Sequence, residues 1–582
     1  MDDKNTMSDA TETVVDDALI YQSSTFSDED MLAIHVSGLV DNSVNEYGDK
    51  PAFSCALPTG HSATISFNDL GKYSDAIAVY LREELGLKKG DVVAIQCLNT
   101  LAYPILAFGI LKAGLIVTNL NPLYTAEESQ HQLKDSGAKI LFLIDVFGDR
   151  AAEATEGTGV EKIYKLSLLD LFPAVQKSLL GFAMKYIKKS VPNFALKPDG
   201  TFQDVLNAGL KLLNAGHSVA GYLDDVDVHD PAIFQYTGGT TGRSKGAELT
   251  HNNVVANVSQ GTKVNDGAYE KGEETMMLLL PLYHVYALAV GALASMYSGV
   301  HIVLVPVPRP LSNLKIVFDK FDISILPGIN TLYLGLLQEE WFTSNPPKTL
   351  QFCYSGAAPL QPATMEAWEK LVNTKIYEGY GLTEGTCAVA TMPLGEKRRP
   401  ASVGLPLPGV KIRTVMDGKD VPKGKNGEIW IQGPQVMKGY LNRPEATAET
   451  IENGWLKTGD IGYVDDDGYL YIVDRMKDMV IVSGFNVYPT DIEDVLSRMD
   501  GVAEATVVGV PSAATGEKVV AYVVKAADGL NEKAVIDYCK EHLTNYKCPK
   551  IVKFVDELPK SPVGKVLRRE LRDIAHKEID HA

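Results

Sequence analysis

The sequence contains few cysteines, and none of them pairs with another at a spacing typical of a metal site. Its 582 residues include six cysteines without a CxxC pair. Secreted domains and zinc proteins concentrate their cysteines, whereas reduced cytosolic proteins scatter them. We therefore predict a cytoplasmic protein whose thiols are reduced.

Targeting segments are also lacking. A secretory signal needs a basic start and an apolar stretch, but residues 1–30 contain nine acidic residues and one lysine. We expect this segment to be an acidic, partly disordered tail. The apolar run of residues 276–305 is the one candidate for a membrane span, but it contains Pro281, His284 and His301 and breaks at Ser298. This pattern predicts a buried strand, helix and strand instead.

An excess of positive charge is missing as well. The formal net charge is −19, which argues against a nucleic-acid partner bound by counterion release. Hydrophobic residues make up 45% of the chain and charged residues 22%, as in an ordinary globular protein with several domains. Residues 177–197 depart from the acidic average because they are basic and apolar. The sequence leaves open whether they form a solvated basic helix face or a peripheral membrane contact.

Alternating strand and helix patterns predict the fold class. From about residue 63 to 144 short apolar runs alternate with helical patterns, and a second such series begins near residue 233. This order implies mostly parallel sheets. From about residue 402 to 473, Gly, Pro and Asp separate short strands, which indicates an antiparallel or barrel-like part. We predict an α/β protein: a large N-terminal domain of two Rossmann-like, doubly wound sheets plus a barrel-like β subdomain, followed by a small α/β C-terminal domain.

A glycine-rich loop interrupts the second series. Residues 236–246 read YTGGTTGRSKG. Glycines allow backbone N–H groups to converge on a phosphate, threonine hydroxyls add donors, and Arg243 and Lys245 add positive charge. The loop lacks the GxxxxGK[ST] pattern of a Walker loop. The preceding strand and the following capped segment THNNVVAN favour a phosphate loop between a strand and a helix over a surface hairpin turn.

Five segments in a fixed order give the chain a family resemblance. They are YTGGTTGRSKG, LPLYHVYAL, YEGYGLTE, NGWLKTGDIGYVDDDGYLYIVDRMKDMVIVSGFNVYP and KSPVGKVLRRE. From roughly residue 45 to the C-terminus the chain resembles the acyl-adenylate-forming superfamily, and within it the bacterial long-chain fatty acyl-CoA synthetases. The resemblance implies two half-reactions. A fatty acid and ATP give acyl-AMP and pyrophosphate, and coenzyme A then gives acyl-CoA and AMP, with Mg²⁺ as the metal cofactor.

The resemblance also implies a nucleotide site. The phosphate loop would hold the β- and γ-phosphates through Thr237, Gly238, Gly239, Thr240, Thr241, Gly242 and Lys245. Tyr380 would stack on adenine, Thr383 would donate to the α-phosphate, and Glu384 would hold Mg²⁺ together with Thr240. The adenine pocket would be completed by Gly356, Ala357, Ala358, Glu378, Gly379 and Gly381.

Further roles follow from the same resemblance. Asp460 would accept from the ribose hydroxyls, assisted by Arg475, although an Asp after Gly459 also suits an ordinary turn. Lys565 would reach the substrate carboxylate and the α-phosphate as a point charge. His284 would lie near that carboxylate, the alternative being a satisfied core histidine.

The C-terminal domain should move between the half-reactions. The family pattern places the adenylate-forming domain at residues 31–474, the hinge at 475–477 and a mobile C-terminal domain at 478–582. Lys477 would be the hinge residue. Ser483, Gly484 and Phe485 would then border the pantetheine tunnel. On the acyl side, the residues after His284 and those around Gly328 would form apolar walls.

Three other functions were weighed against this one. A fatty acyl-AMP ligase would load a carrier protein, but the chain ends soon after KVLRRE without a carrier domain. A ligase for an aromatic acid such as coumarate would share the same motifs. A catalytically silent lipid-binding scaffold would not need Thr383, Glu384, Asp460 and Lys565. The sequence leaves the oligomeric state open, a dimer included.

Overall fold

The computed structural model describes residues 19–237, 243–395, 398–512, 515–561 and 564–580. Within these ranges the strands form four sheets of eight, nine, seven and five strands. Two of them have parallel centres, as the alternating pattern predicted. The predicted tail is ordered at its end, since Tyr21–Gln22 forms a strand and Asp28–Asp30 a 3₁₀ turn.

The eight-stranded sheet, called the N-terminal sheet, has one antiparallel edge. Its strands, in spatial order, are Gly439–Tyr440, Lys245–Thr250, Pro231–Thr237, Ile116–Asn119, Val92–Gln96, Ala138–Ile144, Lys162–Leu166 and Gly200–Thr201. The strands from Pro231–Thr237 onward run parallel, because helices connect them in sequence. Those helices include Phe67–Val79 with Tyr80–Glu84, Ala102–Lys112, Ala126–Ser136, Asp145–Arg150, Ala151–Thr155 and Phe202–Asn214. Ala102–Lys112 is apolar on every face and is buried throughout.

The nine-stranded sheet, called the central sheet, packs beside it. Its strands are Leu405–Pro406, Ala388–Thr391, Ile376–Gly381, Phe352–Ser355, Ile325–Gly328, Thr275–Leu278, His301–Leu304, Pro51–Ala56 and Ser62–Ser66. Its helices are Val36–Tyr47, His251–Val264, Asn313–Lys320, Asn330–Gln338, Glu340–Thr343 and Pro362–Val372. The apolar run 276–305 forms strand, helix (Tyr286–Ala294, Ser295–Tyr297) and strand, which confirms its prediction. No helix in the described ranges is long and apolar enough to cross a membrane.

The remaining large-domain strands form the seven-stranded antiparallel sheet. It contains Tyr21–Gln22, Lys411–Met416, Lys419–Asp420, Gly427–Gln432, Ile451–Glu452, Trp455–Val464 and Leu470–Arg475, with the helix Pro444–Thr450 beside it. This sheet confirms the predicted change to short antiparallel strands after residue 402.

The C-terminal sheet belongs to a separate small unit. Its strands are Val480–Val482, Phe485–Val487, Val502–Ser512, Gly516–Lys525 and Ile551–Val555, covered by the helices Pro489–Leu496, Glu532–His542 and Arg568–Asp580. A hydrophobic cluster around Val507, Ala521 and Ile492 forms its own core. A turn at residues 476–478 joins this unit to the strand Leu470–Arg475. The separate core makes it a domain in the physical sense.

The segment that follows the glycine-rich loop is a strand, which corrects the prediction that a helix comes directly after the loop. Residues 238–242 lie outside the described ranges. The strands on either side pair antiparallel, with Lys245 opposite Thr237 and Gly246 opposite Tyr236. The second arm, Lys245–Thr250, contains only two apolar side chains in alternation, which is too weak a signal for a strand. The capped helix His251–Val264 follows that arm rather than the loop itself.

Candidate active site

One cavity lies where the N-terminal sheet, the central sheet and the C-terminal domain meet. Its volume is about 1110 Å³, which is enough for a nucleotide together with part of a second substrate. Many predicted site residues line it: Thr237, Lys245, His284, Gly356, Ala357, Gly379, Tyr380, Gly381, Thr383, Glu384, Arg475, Lys477 and Lys565. Residues from both domains therefore face one enclosed space.

Other predicted residues are placed elsewhere. Ala358, Glu378 and Asp460 adjoin wall residues but are not among the described side chains that line the cavity. Gly238, Gly239, Thr240, Thr241 and Gly242 lie outside the described ranges. Ser483, Gly484 and Phe485 form an exposed hairpin turn of the C-terminal domain, away from the cavity.

The carboxylate of Asp460 lies behind the ring of Tyr380. The Tyr380 hydroxyl donates to Asp460 Oδ2 at 2.6 Å, and Arg475 Nε lies 2.9 Å from Asp460 Oδ1. Strand pairing sets Asp460 directly opposite Arg475. Both oxygens of Asp460 therefore have a partner, which fixes the orientation of the carboxylate.

The segment after the strand Ile376–Gly381 brings Thr383 and Glu384 to the cavity. Gly381 is required there, because a Cβ on it would lie 1.5 Å from the carbonyl oxygen of Cys387. This close approach turns the chain into the short 3₁₀ helix Thr383–Gly385. The backbone N–H of Met437 donates to the Glu384 carbonyl at 2.8 Å and fixes the turn.

Glu378 is held on the other side of the same strand. Its carboxyl accepts the backbone N–H of Leu360 at 3.2 Å. Burial, with a further contribution from the charge of Asp494, raises the pKa of Glu378 to about 8. The Asp494 carboxyl belongs to the C-terminal domain, so the two domains bring these acids close together.

Lys565 enters the cavity on a loop that docks against the large domain. Gly564 has a φ of +82°, and a Cβ there would lie 2.6 Å from Ile329 Cδ1 and 2.8 Å from Thr331 Oγ1. The Thr331 hydroxyl also donates to the Gly564 carbonyl at 3.4 Å. Loss of hydration inside the cavity, together with the charge of Arg475, lowers the pKa of Lys565 to about 8.

His284 lies on the opposite wall and is neutral. Burial, with a smaller contribution from the positive charge of Lys565, lowers its pKa to about 4. The backbone N–H of Tyr286 lies 3.4 Å from Nδ1. Since a backbone N–H can only donate, Nδ1 is the acceptor and the ring proton resides on Nε2.

A chain of buried amides supports the His284 turn. The Tyr103 hydroxyl donates to Asn119 Oδ1 at 2.7 Å, and Asn119 Nδ2 donates to Gln235 Oε1 at 3.1 Å. Gln235 Nε2 in turn donates to the Tyr283 carbonyl at 2.9 Å. Such a satisfied buried network fixes the backbone that carries the histidine.

Apolar and aromatic side chains form part of the cavity wall. They include Tyr286, Val290, Tyr354, Cys387, Ala388 and Ala390. The residues around Gly328 are not among the described side chains that line the cavity, which corrects the sequence expectation. A Cβ on Gly328 would meet Leu332 at 2.8 Å and Tyr333 at 3.2 Å, so Gly328 packs against the helix Asn330–Gln338.

The C-terminal domain is held against the large domain by buried charges. Arg568 Nη1 lies 3.1 Å from Asp474 Oδ1, and Arg568 Nη2 lies 2.5 Å from Glu493 Oε2. Arg572 adds a contact of 2.8 Å to Asp478 in the connecting turn. Asp474 ends a large-domain strand, so this cluster bridges the two domains.

Several cavity residues were missed by sequence reasoning. They are Asn121, Tyr124, His131, Tyr354, Tyr377, Tyr440 and Arg443, among others. His131 lies on the helix Ala126–Ser136, and its Nε2 lies 3.1 Å from the Ser244 carbonyl oxygen. No local pattern in the sequence indicates Tyr440, because its partners in the cavity come from distant segments.

A two-domain architecture with this cavity defines an enzyme that combines a nucleotide with an apolar substrate. The AMP-binding enzyme model matches residues 40–441, and the model of the AMP-binding enzyme C-terminal domain matches residues 491–565. The chain therefore belongs to the AMP-binding enzyme family.

Individual relatives agree with this assignment. The chain is 41% identical to the long-chain-fatty-acid–CoA ligase of Escherichia coli, covering 93% of this chain and 95% of the relative. It is 42% identical to the ligase of the same name from Yersinia pestis, covering 92% and 93%. The crystal structure of ATP-bound MatB from Rhodopseudomonas palustris superposes with a TM-score of 0.78 at 30% identity, covering 93% and 99%.

Proposed function

We propose that this protein is an AMP-forming ligase that joins a long-chain fatty acid to coenzyme A through an acyl-AMP intermediate. The observation that carries the proposal is the cavity, whose wall combines Lys565, Thr383 and Glu384 with apolar side chains such as Val290 and Ala390. Relatives over nearly the whole chain bear the name of such a ligase.

The first half-reaction forms a mixed anhydride. A carboxylate oxygen of the fatty acid attacks the α-phosphorus of ATP, and the bond to the departing pyrophosphate breaks. Lys565 offsets charge on the carboxylate and the α-phosphate oxygens, while Thr383 donates to the latter. His284, neutral with its proton on Nε2, donates to the fatty-acid carboxylate and orients it. The substrates supply both reacting groups, so no protein nucleophile is needed.

The nucleoside part of ATP is held by neighbouring residues. Tyr380 stacks on adenine beside Gly356, Ala357, Ala358, Gly379 and Gly381, with Glu378 behind this wall. Asp460 accepts from the ribose hydroxyls with Arg475 beside it. The loop from Thr237 to Lys245 holds the β- and γ-phosphates and releases them as pyrophosphate.

The donor set fits Mg²⁺ that arrives with the nucleotide. Thr383 and Glu384 present oxygen donors to the cavity, and the described ranges hold no cluster of three or more His, Cys, Asp or Glu side chains suited to a metal. Mg²⁺ commonly takes one or two protein carboxylates plus substrate phosphates. When bound, the ion neutralises phosphate charge, and Glu384, with Thr240 in the loop, would hold it.

The second half-reaction transfers the acyl group. The coenzyme A thiolate attacks the acyl carbonyl, the thioester bond forms, and AMP leaves with the bonding electrons. We place the hinge at residues 475–477 with Lys477 as its moving residue, between domains 31–474 and 478–582. Rotation would bring Ser483, Gly484 and Phe485 to the cavity as one wall of the pantetheine tunnel.

A substrate series tests the function directly. Pyrophosphate exchange into ATP should require a fatty acid. In a series of acids from C2 to C18, the exchange rate should rise with chain length, because each buried methylene contributes about 0.8 kcal/mol.

The alternatives predict other results. A ligase for aromatic acids would show faster exchange with coumarate than with long-chain acids. A carrier-loading ligase would transfer the acyl group to a carrier protein rather than to coenzyme A. A silent scaffold would show no exchange with any acid.

Residues 174–197 support a peripheral contact with the inner face of a membrane. They form the helical segments Ala174–Phe182 and Ala183–Ile187. Six of the large apolar side chains that are exposed in the described ranges lie here: Val175, Leu179, Phe182, Tyr186, Ile187 and Leu196. Five lysines and no acidic residue accompany them. Apolar side chains next to lysines suit an anionic lipid surface.

Charge reversal tests the membrane contact. Lys188→Glu with Lys189→Glu should weaken co-sedimentation with anionic vesicles by about 30-fold or more, since each of the two lysines near the surface contributes about 1 kcal/mol. Lys533→Glu with Lys540→Glu, on an exposed helix of the C-terminal domain, is the charge-matched control. If both double variants bound the vesicles equally well, the proposed membrane contact of this segment would be contradicted. Sedimentation equilibrium of the same samples gives the oligomeric state.

A further inference from the structure

The carboxylate of Glu384 is held by a residue that the function above does not use. The Tyr440 hydroxyl donates to Glu384 Oε1 at 2.7 Å. Both side chains line the cavity.

The ring of the same tyrosine carries a second contact. Lys245 Nζ lies 4.9 Å from the centroid of the Tyr440 ring, within the range of a cation–π interaction. The strand Gly439–Tyr440 pairs with Lys245–Thr250, and the N–H of Leu441 donates to the Gly246 carbonyl at 2.8 Å. The backbone therefore fixes the ring beside the lysine.

A donor on one carboxylate oxygen has a geometric consequence. It sets the torsion of the Glu384 side chain and leaves the other oxygen available to the cavity. Partners of this kind orient metal ligands, and their loss commonly weakens metal binding by about 10- to 100-fold. The ring likewise holds the Lys245 ammonium at the wall of the same cavity that Glu384 lines.

We propose that Tyr440 is a positioning residue for the metal–pyrophosphate part of the site. Its hydroxyl orients Glu384, and its ring orients Lys245. The proposal rests on the roles given to Glu384 and Lys245 in the proposed function. A merely structural Tyr440 would fill space between the two strands and would leave metal affinity unchanged when only its hydroxyl is removed.

Two substitutions separate the two contacts. Tyr440→Phe removes the hydroxyl and keeps the ring, so it should weaken Mn²⁺ binding in the presence of ATP by about tenfold, measured by electron paramagnetic resonance of free Mn²⁺. Binding of inorganic pyrophosphate without metal should be unchanged. Tyr440→Leu should weaken metal binding equally and should also weaken pyrophosphate binding by about threefold in calorimetry, because the ring is lost.

Controls keep the outcomes distinct. Tyr463→Phe removes a hydroxyl from a tyrosine stacked on Tyr471, away from the cavity, and should change neither affinity. Glu384→Gln tests the metal role itself. If Glu384→Gln loses Mn²⁺ affinity while Tyr440→Phe binds as the wild type does, the positioning role is overturned and the proposed function stands. If Glu384→Gln also binds normally, the metal role of Glu384 fails and the Tyr440 proposal falls with it.

Discussion

Two loops of the C-terminal domain differ sharply in their surroundings. The loop with Gly564 and Lys565 packs against Ile329 and Thr331 and presents its lysine to the cavity. The hairpin turn with Ser483 and Gly484 is exposed, although the family resemblance assigns it to the same reaction. The C-terminal domain therefore presents one of these loops to the cavity and the other to solvent. Under the proposed function, this is the arrangement that would serve acyl-AMP formation.

The docked loop is held from outside the cavity as well. Arg568 joins Asp474 of the large domain to Glu493 of the small one through two close contacts. Such a buried cluster fixes orientation more surely than it adds stability. The exposed turn has no comparable support from the large domain among the described residues. This contrast makes the two loops separable by mutation.

Removing the docked lysine should give the largest effect. Lys565→Ala should lower the rate of acyl-AMP formation by about 10²- to 10³-fold, because a charge aimed at the reacting phosphate is lost. Thioester formation from supplied acyl-AMP should largely persist. Pyrophosphate exchange and thioester release measure the two steps separately. Lys553→Ala, an ion-paired lysine of the same domain, is the control, and equal loss in both steps would contradict the assignment.

A proline in the turn at residues 476–478 should slow the half-reaction that is assigned to the exposed turn with Ser483 and Gly484. Lys477→Pro should spare acyl-AMP formation and slow overall thioester formation by about tenfold, since a hinge absorbs its change in a few backbone torsions. Single-turnover measurement with and without coenzyme A separates the steps. Unchanged overall turnover would argue against a hinge at this residue.

The docked loop should also give the enzyme an alkaline limit. The pKa of Lys565 is lowered to about 8, so the free enzyme holds this residue protonated below pH 8 and neutral above it. The value of kcat/KM for ATP in the first half-reaction should therefore fall by about fourfold between pH 7 and 8.5. Lys565→Arg keeps its charge throughout. If kcat/KM of the Lys565→Arg variant fell by the same factor over this pH range, the pH dependence would belong to another group.

The exposed turn should give the smallest effect. Phe485 stacks on Tyr546 with ring centroids 4.8 Å apart, and its side chain is exposed. Phe485→Ala should lower the free energy of unfolding by about 1 kcal/mol or less. The KM for coenzyme A should nevertheless rise, while pyrophosphate exchange is unaffected. Thermal unfolding, the KM for coenzyme A and the rate of pyrophosphate exchange check this. A change in pyrophosphate exchange alone would show that Phe485 acts in the first half-reaction, contrary to the role proposed for its loop.

The sequence predicted most strands and helices because their periodicity is local. The run 276–305, which forms the predicted strand, helix and strand, is an example. The hairpin arm Lys245–Thr250 was missed, since its pairing with Pro231–Thr237 is a tertiary event. Gly328 was misplaced for a similar reason, because a small residue does not reveal whether it faces a cavity or a neighbouring helix.

Site chemistry divides in the same way. Motifs located Lys565 and His284, but their lowered pKa values arise from burial and from charges elsewhere in the fold, Lys565 acting on His284 and Arg475 on Lys565. Tyr440 was missed because its role depends on Glu384 and Lys245, which lie far away in the chain. Sequence motifs therefore indicate residues such as Lys565 and His284, whereas a residue such as Tyr440 becomes visible only through its contacts in the folded chain.

The occupied state of Asp460 has a further consequence. Its two oxygens already have Tyr380 and Arg475 as partners, so the empty enzyme contains no bare buried charge at this position. These two contacts hold the carboxylate in one orientation. Under the proposed function, a ribose would therefore meet an acceptor whose remaining lone pairs already point in fixed directions. Binding would then cost little ordering of this side chain, which is a form of preorganisation.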